Sequence, residues 1–187
     1  MVGSFGFWPL GFVQMVMVTI RKEKTGDTQE IRRVNLFAFG REAEADVVDT
    51  LRESCPESIS LVAVYDNQVV GHILFTPVTV ETKTRTIKGM GLAPMAVMPE
   101  CQRQGIGSQL VKAGLDEIER AGYPFVIVLG HPEYYPRFGF TPVSRYRIVS
   151  EYQHVPDEAF MISVFNEIAL TDASGDVKYR PEFAAAL

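Results

Sequence analysis

The chain has 187 residues, a length that suits one domain or one domain with appendages, and 47% of them are apolar, enough for a genuine core. Its 18 basic and 23 acidic side chains leave a net charge of −5, so there is no basic excess of the kind that releases counterions from a nucleic-acid backbone. Cys55 and Cys101 stand outside any Cys-x-x-Cys pair, which removes a zinc pattern and a disulfide framework and leaves two free thiols, as in a cytoplasmic protein.

Residues 1–16 read as an N-terminal extension of unassigned role. No basic residue precedes Arg21, against a secretory signal, and Gly3, Gly6, Pro9 and Gly11 interrupt the apolar run, against stable membrane insertion. Met15 and Met17 are alternative starts; a peripheral membrane anchor is the minor reading. The domain proper is expected over 17–170. Met17 to Lys22 reads as a strand. Asp27 and Glu30 form a capping-box pattern ahead of Ile31, Val34, Phe37 and Ala38 at helical spacing. A second helix is expected over 42–53, ended by Cys55-Pro56. A hairpin follows: Ile59 to Tyr65, a turn at Asp66-Asn67, then Val69 to Val80. Thr86 to Val97 is a third strand, and Pro94, lacking an N–H, should open or bulge the sheet. Ile106, Leu110, Val111, Leu115 and Ile118 then line one helical face that Gly122 closes. Phe125 to Leu129 is a continuous apolar run, the mark of a strand buried on both faces. Strands are expected over 143–150 and 159–166; 171–180, polar and Gly-containing, reads as a surface tail, within a C-terminal tail over 171–187. The order predicts a mixed α/β (α+β) domain: a mostly antiparallel, twisted sheet of six to seven strands flanked by helices. Its one parallel pair should be the strand–helix–strand unit over 95–129.

The sharpest local signal is Gln102-Arg103-Gln104-Gly105-Ile106-Gly107-Ser108, between a strand and an amphipathic helix. Glycines let a ligand approach the backbone. The first N–H groups of a helix lack intrahelical partners, and its dipole adds positive potential there. Such a turn suits a pyrophosphate, with Arg103 supplying a full charge. The spacing is not Walker A, and Leu110 stands where a Rossmann fingerprint needs its third glycine. On the residues alone, a phosphate cradle and a plain tight turn into a helix both stay open.

Gln-x-x-Gly-x-Gly after Met95-Ala96-Val97-Met98-Pro99-Glu100 resembles the acetyl-CoA loop of the GNAT superfamily of N-acetyltransferases. The stretch Gly130-His131-Pro132-Glu133-Tyr134-Tyr135-Pro136-Arg137-Phe138-Gly139-Phe140 resembles the Tyr-x-x-x-Gly-Phe segment after that family's fifth strand, in the form typical of its YhbS-like branch. The resemblance covers about 17–166. It implies a sheet splayed at the acetyl-CoA site and direct transfer of acetyl from acetyl-CoA to a primary amine in a ternary complex, with no metal. By position it implies that Met95, Ala96 and Val97 bond the pantetheine arm through their backbone. Arg103, Gln104, Gly105, Ile106, Gly107 and Ser108 would hold the pyrophosphate, and Gln102 would brace the loop. Tyr135 matches the tyrosine that serves as general acid; packing against the cofactor is its other reading.

The family's strand glutamate is missing: Gly89 to Leu92 carry no carboxylate, and Gly130-His131-Pro132 replaces the usual asparagine. The base is therefore unassigned, with Glu53, Glu81 and Glu133 as candidate contributors. The need is real, because an amine of pKa near 10 is only ~10⁻³ neutral at pH 7, a handicap of about 4 kcal/mol. His72 reads as a packed or hydrogen-bonded histidine, and Cys101 as a thiol outside the chemistry. The acceptor, a small molecule or a protein amine, and the choice of monomer or homodimer are not written in the residues. The rival readings are a non-catalytic acyl-CoA-binding sensor or regulator and a nucleotide-binding interaction domain.

Overall fold

A computed structural model describes residues 18–152 and 155–185. The N-terminal extension falls outside them. The elements run β1 (Thr19–Lys22), α1 (Thr28–Phe39), α2 (Ala43–Ser54), β2 (Ile59–Tyr65), β3 (Gln68–Thr82), β4 (Thr86–Val97), α3 (Ile106–Arg120), β5 (Phe125–Leu129), β6 (Thr141–Pro142), β7 (Ile148–Ser150), β8 (Phe160–Val164) and β9 (Gly175–Lys178). The sheet follows the order β1-β2-β3-β4-β5-β8-β6, with β9 joined to β3 and β7. It is mixed and mostly antiparallel, with helices against it, as the sequence predicts. No helix among the described residues is long and apolar enough to cross a membrane.

Local chemistry accounts for the central elements. Asp66 and Asn67 both take positive φ, +48° and +60°, the geometry of a two-residue turn whose twist matches its strands. The stripe Ile106, Leu110, Val111, Leu115 and Ile118 is buried on α3. Phe125, Val126, Ile127 and Val128 are fully buried, and only Leu129 emerges. β4 and β5 are parallel, but pair only from Met90–Val126 to Leu92–Val128. Beyond Leu92 they part, and opposite β3 the register of β4 shifts across Ala93-Pro94. This is the splay that Pro94 predicts.

Four expectations need correction. Asp27 does not cap α1: its carboxylate accepts the Lys24 N–H at 2.7 Å and pairs with Arg21, while Glu30 accepts the Val69 N–H at 2.8 Å. A polar group at a helix start will serve whichever orphan donor lies nearest, and here the donors come from other segments. The stretch 143–150 is not one strand but a 3-10 turn, Val143–Tyr146, then Arg147 at φ +56°, then β7. The β4–β5 pair is not the sole parallel one, because β7 and β9 are also parallel. Finally, residues 171–185 are not a surface tail. β9 pairs with Thr79 to Thr82 of β3, in line with the edge that β2 leaves open after Phe75. The Pro181–Ala185 turn then anchors to α2, where Ser54 donates to Glu182 at 2.7 Å and Arg180 pairs with Glu182 at 2.5 Å.

His72 is wholly buried in β3. Its Nδ1 lies 3.1 Å from Asn35 Nδ2 of α1, and its Nε2 lies 3.0 Å from Ser60 Oγ of β2. An amide NH₂ can only donate, so Nδ1 accepts and Nε2 carries the proton. Ser60 in turn donates to Glu23, which pairs with Arg52 at 2.5 Å. Burial, helped by the Arg52 charge, pushes the imidazole pKa down to about 3. The unfolded chain takes up this proton near pH 6.5 while the folded one refuses it. Stability is therefore full above pH 6.5 and falls as pH drops toward 3, by about 2 kcal/mol between pH 6.5 and 5 from this group alone. His72→Gln should flatten the pH dependence of the urea midpoint over that interval by about one proton's worth. An unchanged slope would show that His72 already shares its proton with solvent.

Candidate active site

Two features meet at the splay. The first is the turn between β4 and α3. Arg103 and Gly105 hold left-handed backbone, φ +60° and +82°. Among the described residues, the backbone N–H groups of Arg103 through Ser108 have no acceptor in the chain; the first helical bond is Gln109 N–H to Gly105 O at 3.1 Å. A run of unpaired N–H groups at a helix start, under the helix dipole, is a preformed anion cradle. Two side chains hold its shape: Gln102 Nε2 donates to Val97 O at 3.0 Å, and Gln104 Nε2 donates to Glu100 O at 3.0 Å. Ile106 contributes only its N–H, because its side chain is buried against β3 near Gly71. Arg103 is exposed and has no ion pair among the described residues. Gly107 has no room for more: a Cβ there would lie 2.9 Å from the Tyr134 hydroxyl.

The second feature is a cavity of about 370 Å³ in the gap between β4 and β5. Leu92, Pro94 and Met95 form one wall, and Val128, Gly130 and Tyr135 the facing one. Met95 links the two features, since its Cε lies 3.7 Å from where a Cβ on Gly107 would stand. Ala96, next along β4, is buried and pairs with His72 of β3, and Val97 is half-buried. Tyr135 is 6% exposed, packs edge-on to Tyr134 and Phe140, and fills the space above Gly130, where a Cβ would come within 2.3 Å of its ring. Burial, with Tyr134 adding, pushes its phenol well above the ordinary value near 10. The hydroxyl thus stays protonated and can donate, and no side chain of the described residues engages it. Arg137 sits 4.6 Å over the Tyr134 ring and steadies that neighbour.

The remaining sequence candidates divide. His131 lines the cavity, and its carbonyl accepts the N–H groups of Tyr134 and Tyr135, which fixes the turn. Glu53, Glu81 and Glu133 do not reach the cavity. Burial and Glu100 push the Cys101 thiol up, away from the reactive thiolate. Glu44 is the carboxylate that sequence reasoning passed over: it alone among the described acids lines the cavity, from the first turn of α2, paired with Arg41. Tyr152, Tyr179 and Phe183 complete the far wall from the C-terminal segment. Tyr179 stacks on Tyr152 at 5.6 Å, and its buried hydroxyl has no hydrogen-bond partner among the described residues; burial raises its pKa far above the ordinary range.

Residues 19–143 match the Acetyltransferase (GNAT) domain family. The chain belongs to the GNAT acetyltransferases. It is 43% identical over 118 residues to YjhQ of Escherichia coli, an uncharacterized N-acetyltransferase; the match spans 62% of this chain and 65% of that protein. It is 34% identical to YhbS of Escherichia coli, another uncharacterized N-acetyltransferase, over 88% of this chain and 97% of that one. The crystal structure of YhbS in complex with CoA is similar at a TM-score of 0.82, covering 90% of this chain and 93% of that one. A GNAT acetyltransferase of Brucella melitensis in complex with acetyl-CoA is similar at 0.71 and 34% identity, covering 90% and 99%.

Proposed function

We propose that the protein is an acetyl-CoA-dependent N-acetyltransferase that acts on a primary amine by direct attack in a ternary complex. The observation that carries this reading is the continuity, through Met95, of a cradle of unpaired N–H groups with a cavity walled by a protonated phenol. The cradle fits the donor's pyrophosphate by number of donors, by the missing Cβ of Gly107 and by the charge of Arg103. The likeness to chains solved with CoA and acetyl-CoA supports the same choice.

Acetyl-CoA bound here supplies an acetyl group activated as a thioester. The unpaired side of β4 beyond Leu92 offers backbone groups to an extended arm in the manner of an added strand, and the Met95 N–H is the candidate donor to the reacting carbonyl. Apolar walls exclude water from the reacting atoms. Tyr135 gives its proton to the departing sulfur as the C–N bond forms and the C–S bond breaks. A proton leaves the amine in exchange, so the phenol is restored by solvent.

Calorimetric titration with acetyl-CoA, followed by CoASH release across a panel of primary amines, tests the reading. Amine-dependent release supports it. Binding without release for any amine would leave an acyl-CoA sensor, and a preference for ATP or NAD would leave a nucleotide-binding domain. Arg103→Ala should weaken acetyl-CoA binding most at low salt, with the difference shrinking as ionic strength rises, because an exposed charge acts over about 8–10 Å at ordinary salt. A loss independent of salt would make Arg103 a packing residue of the turn.

A further inference from the structure

We propose that Glu44 receives the ammonium of the acceptor, and that the acceptor is a small primary monoamine with one apolar body. This deepens the acetyltransferase reading and rests on it.

Of the described residues lining the cavity, only Arg41 and Glu44 bring opposite full charges, and Glu44 is the sole carboxylate among them. The pair could be an ordinary surface contact at a helix start, but its two members are not placed alike. The Arg41 side chain is 60% exposed, whereas that of Glu44 is 12% exposed. The carboxylate is turned inward and the guanidinium outward. Arg41 grips it through Nε at 3.0 and 3.1 Å and through Nη2 at 2.5 Å. A carboxylate has about four acceptor positions, so this grip leaves some for a second cation. Arg41 therefore orients Glu44 without using it up.

The other walls decide what is attached to that cation. Phe39, Leu92, Tyr152, Phe160, Tyr179 and Phe183 surround the space with aromatic and aliphatic carbon. An apolar body gains by entering such a site. A second ammonium would find no second carboxylate, and would face either the Arg41 charge or an apolar wall, where an unpaired charge is costly. Polyamines are thus selected against by the same residues that admit a monoamine. Among the described acids Glu44 alone lines the cavity, so it is also where the acceptor's proton can go before nitrogen attacks. The stoichiometry closes: the ammonium gives one proton to Glu44, the freed lone pair forms the C–N bond as the C–S bond breaks, the sulfur leaves with the proton of Tyr135, and the second nitrogen proton, lost as the amide forms, passes through solvent to restore the phenol.

The test uses the full chain with saturating acetyl-CoA and follows CoASH release from phenethylamine and from spermidine. Phenethylamine should be favoured at least about tenfold in kcat/KM. Glu44→Gln should raise the KM for phenethylamine at least about tenfold, the size of one charged hydrogen bond, with the KM for acetyl-CoA unchanged within about twofold. Glu44→Asp, which keeps the charge on a shorter arm, should recover part of the loss. A thermal midpoint near that of the parent chain shows that the variants are folded; should Glu44→Gln fail this, the Asp variant and the parent preference still decide. Equal or better use of spermidine, or an unchanged amine KM in the variants, would overturn the assignment of Glu44 and the monoamine class while leaving acetyl transfer intact. No release with any amine of the panel overturns the acetyltransferase reading, and this inference with it.

Discussion

Tyr135→Phe should lower kcat by about 10²- to 10⁴-fold while the affinity for acetyl-CoA barely changes. Phenylalanine keeps the ring that fills the space over Gly130 and its edge contacts with Tyr134 and Phe140, so the cavity wall survives and only the proton is lost. Because burial raises the phenol pKa, the parent enzyme should keep this acid through pH 10, and any alkaline decline of rate below that pH belongs to another group. A Tyr135→Phe enzyme of full rate would make the ring a packing surface, with water protonating the thiolate. Tyr134→Phe serves as the control, since its hydroxyl lies at Gly107 on the cradle side rather than on the cavity wall.

Gly107→Asp should reduce acetyl-CoA affinity at least about tenfold without unfolding the chain. Its Cβ would stand 2.9 Å from the Tyr134 hydroxyl, so either the phenol or the start of α3 must shift. The carboxylate would also place negative charge where the pyrophosphate is expected. Sterics and charge act in the same direction, and Gly107→Ala separates them: the alanine variant keeps the first effect only and should lose less. Acetyl-CoA affinity retained in a folded Asp variant would contradict this placement of the donor.

What the sequence reveals, and what it hides, follows from how local each signal is. The α3 stripe, the Asp66-Asn67 turn and the apolar run of β5 are each set by neighbours a few residues apart, and the cradle lies inside one such segment. Tyr135 is found because a motif counts forward from it to Gly139. β9 carries no such mark: four residues with one buried side chain, Val177, have no period to read. It is a strand because β3 continues beyond the end of β2 and leaves ladder groups to be met from elsewhere. Val143 and Ile148 are both buried, yet the left-handed Arg147 between them breaks what looks like one strand. Glu44 is hidden for a related reason. Along α2 it looks like one more surface acid with a basic partner three residues back, and the cavity it lines exists only once segments more than 80 residues away supply the opposite wall.

That far wall has a consequence for how selectivity could change. The match to the GNAT domain family ends at residue 143, whereas Ser150, Tyr152, Phe160, Tyr179 and Phe183 all come after it. Glu44 lies inside the matched stretch, whereas much of the aromatic wall facing it lies beyond, the two being joined by the β3–β9 ladder and the Ser54–Glu182 bond. Chimeras that exchange residues 144–185 between relatives should therefore carry the preference for the amine's apolar body with the transplanted piece, while the ammonium's partner Glu44 and the grip on the thioester stay with the recipient.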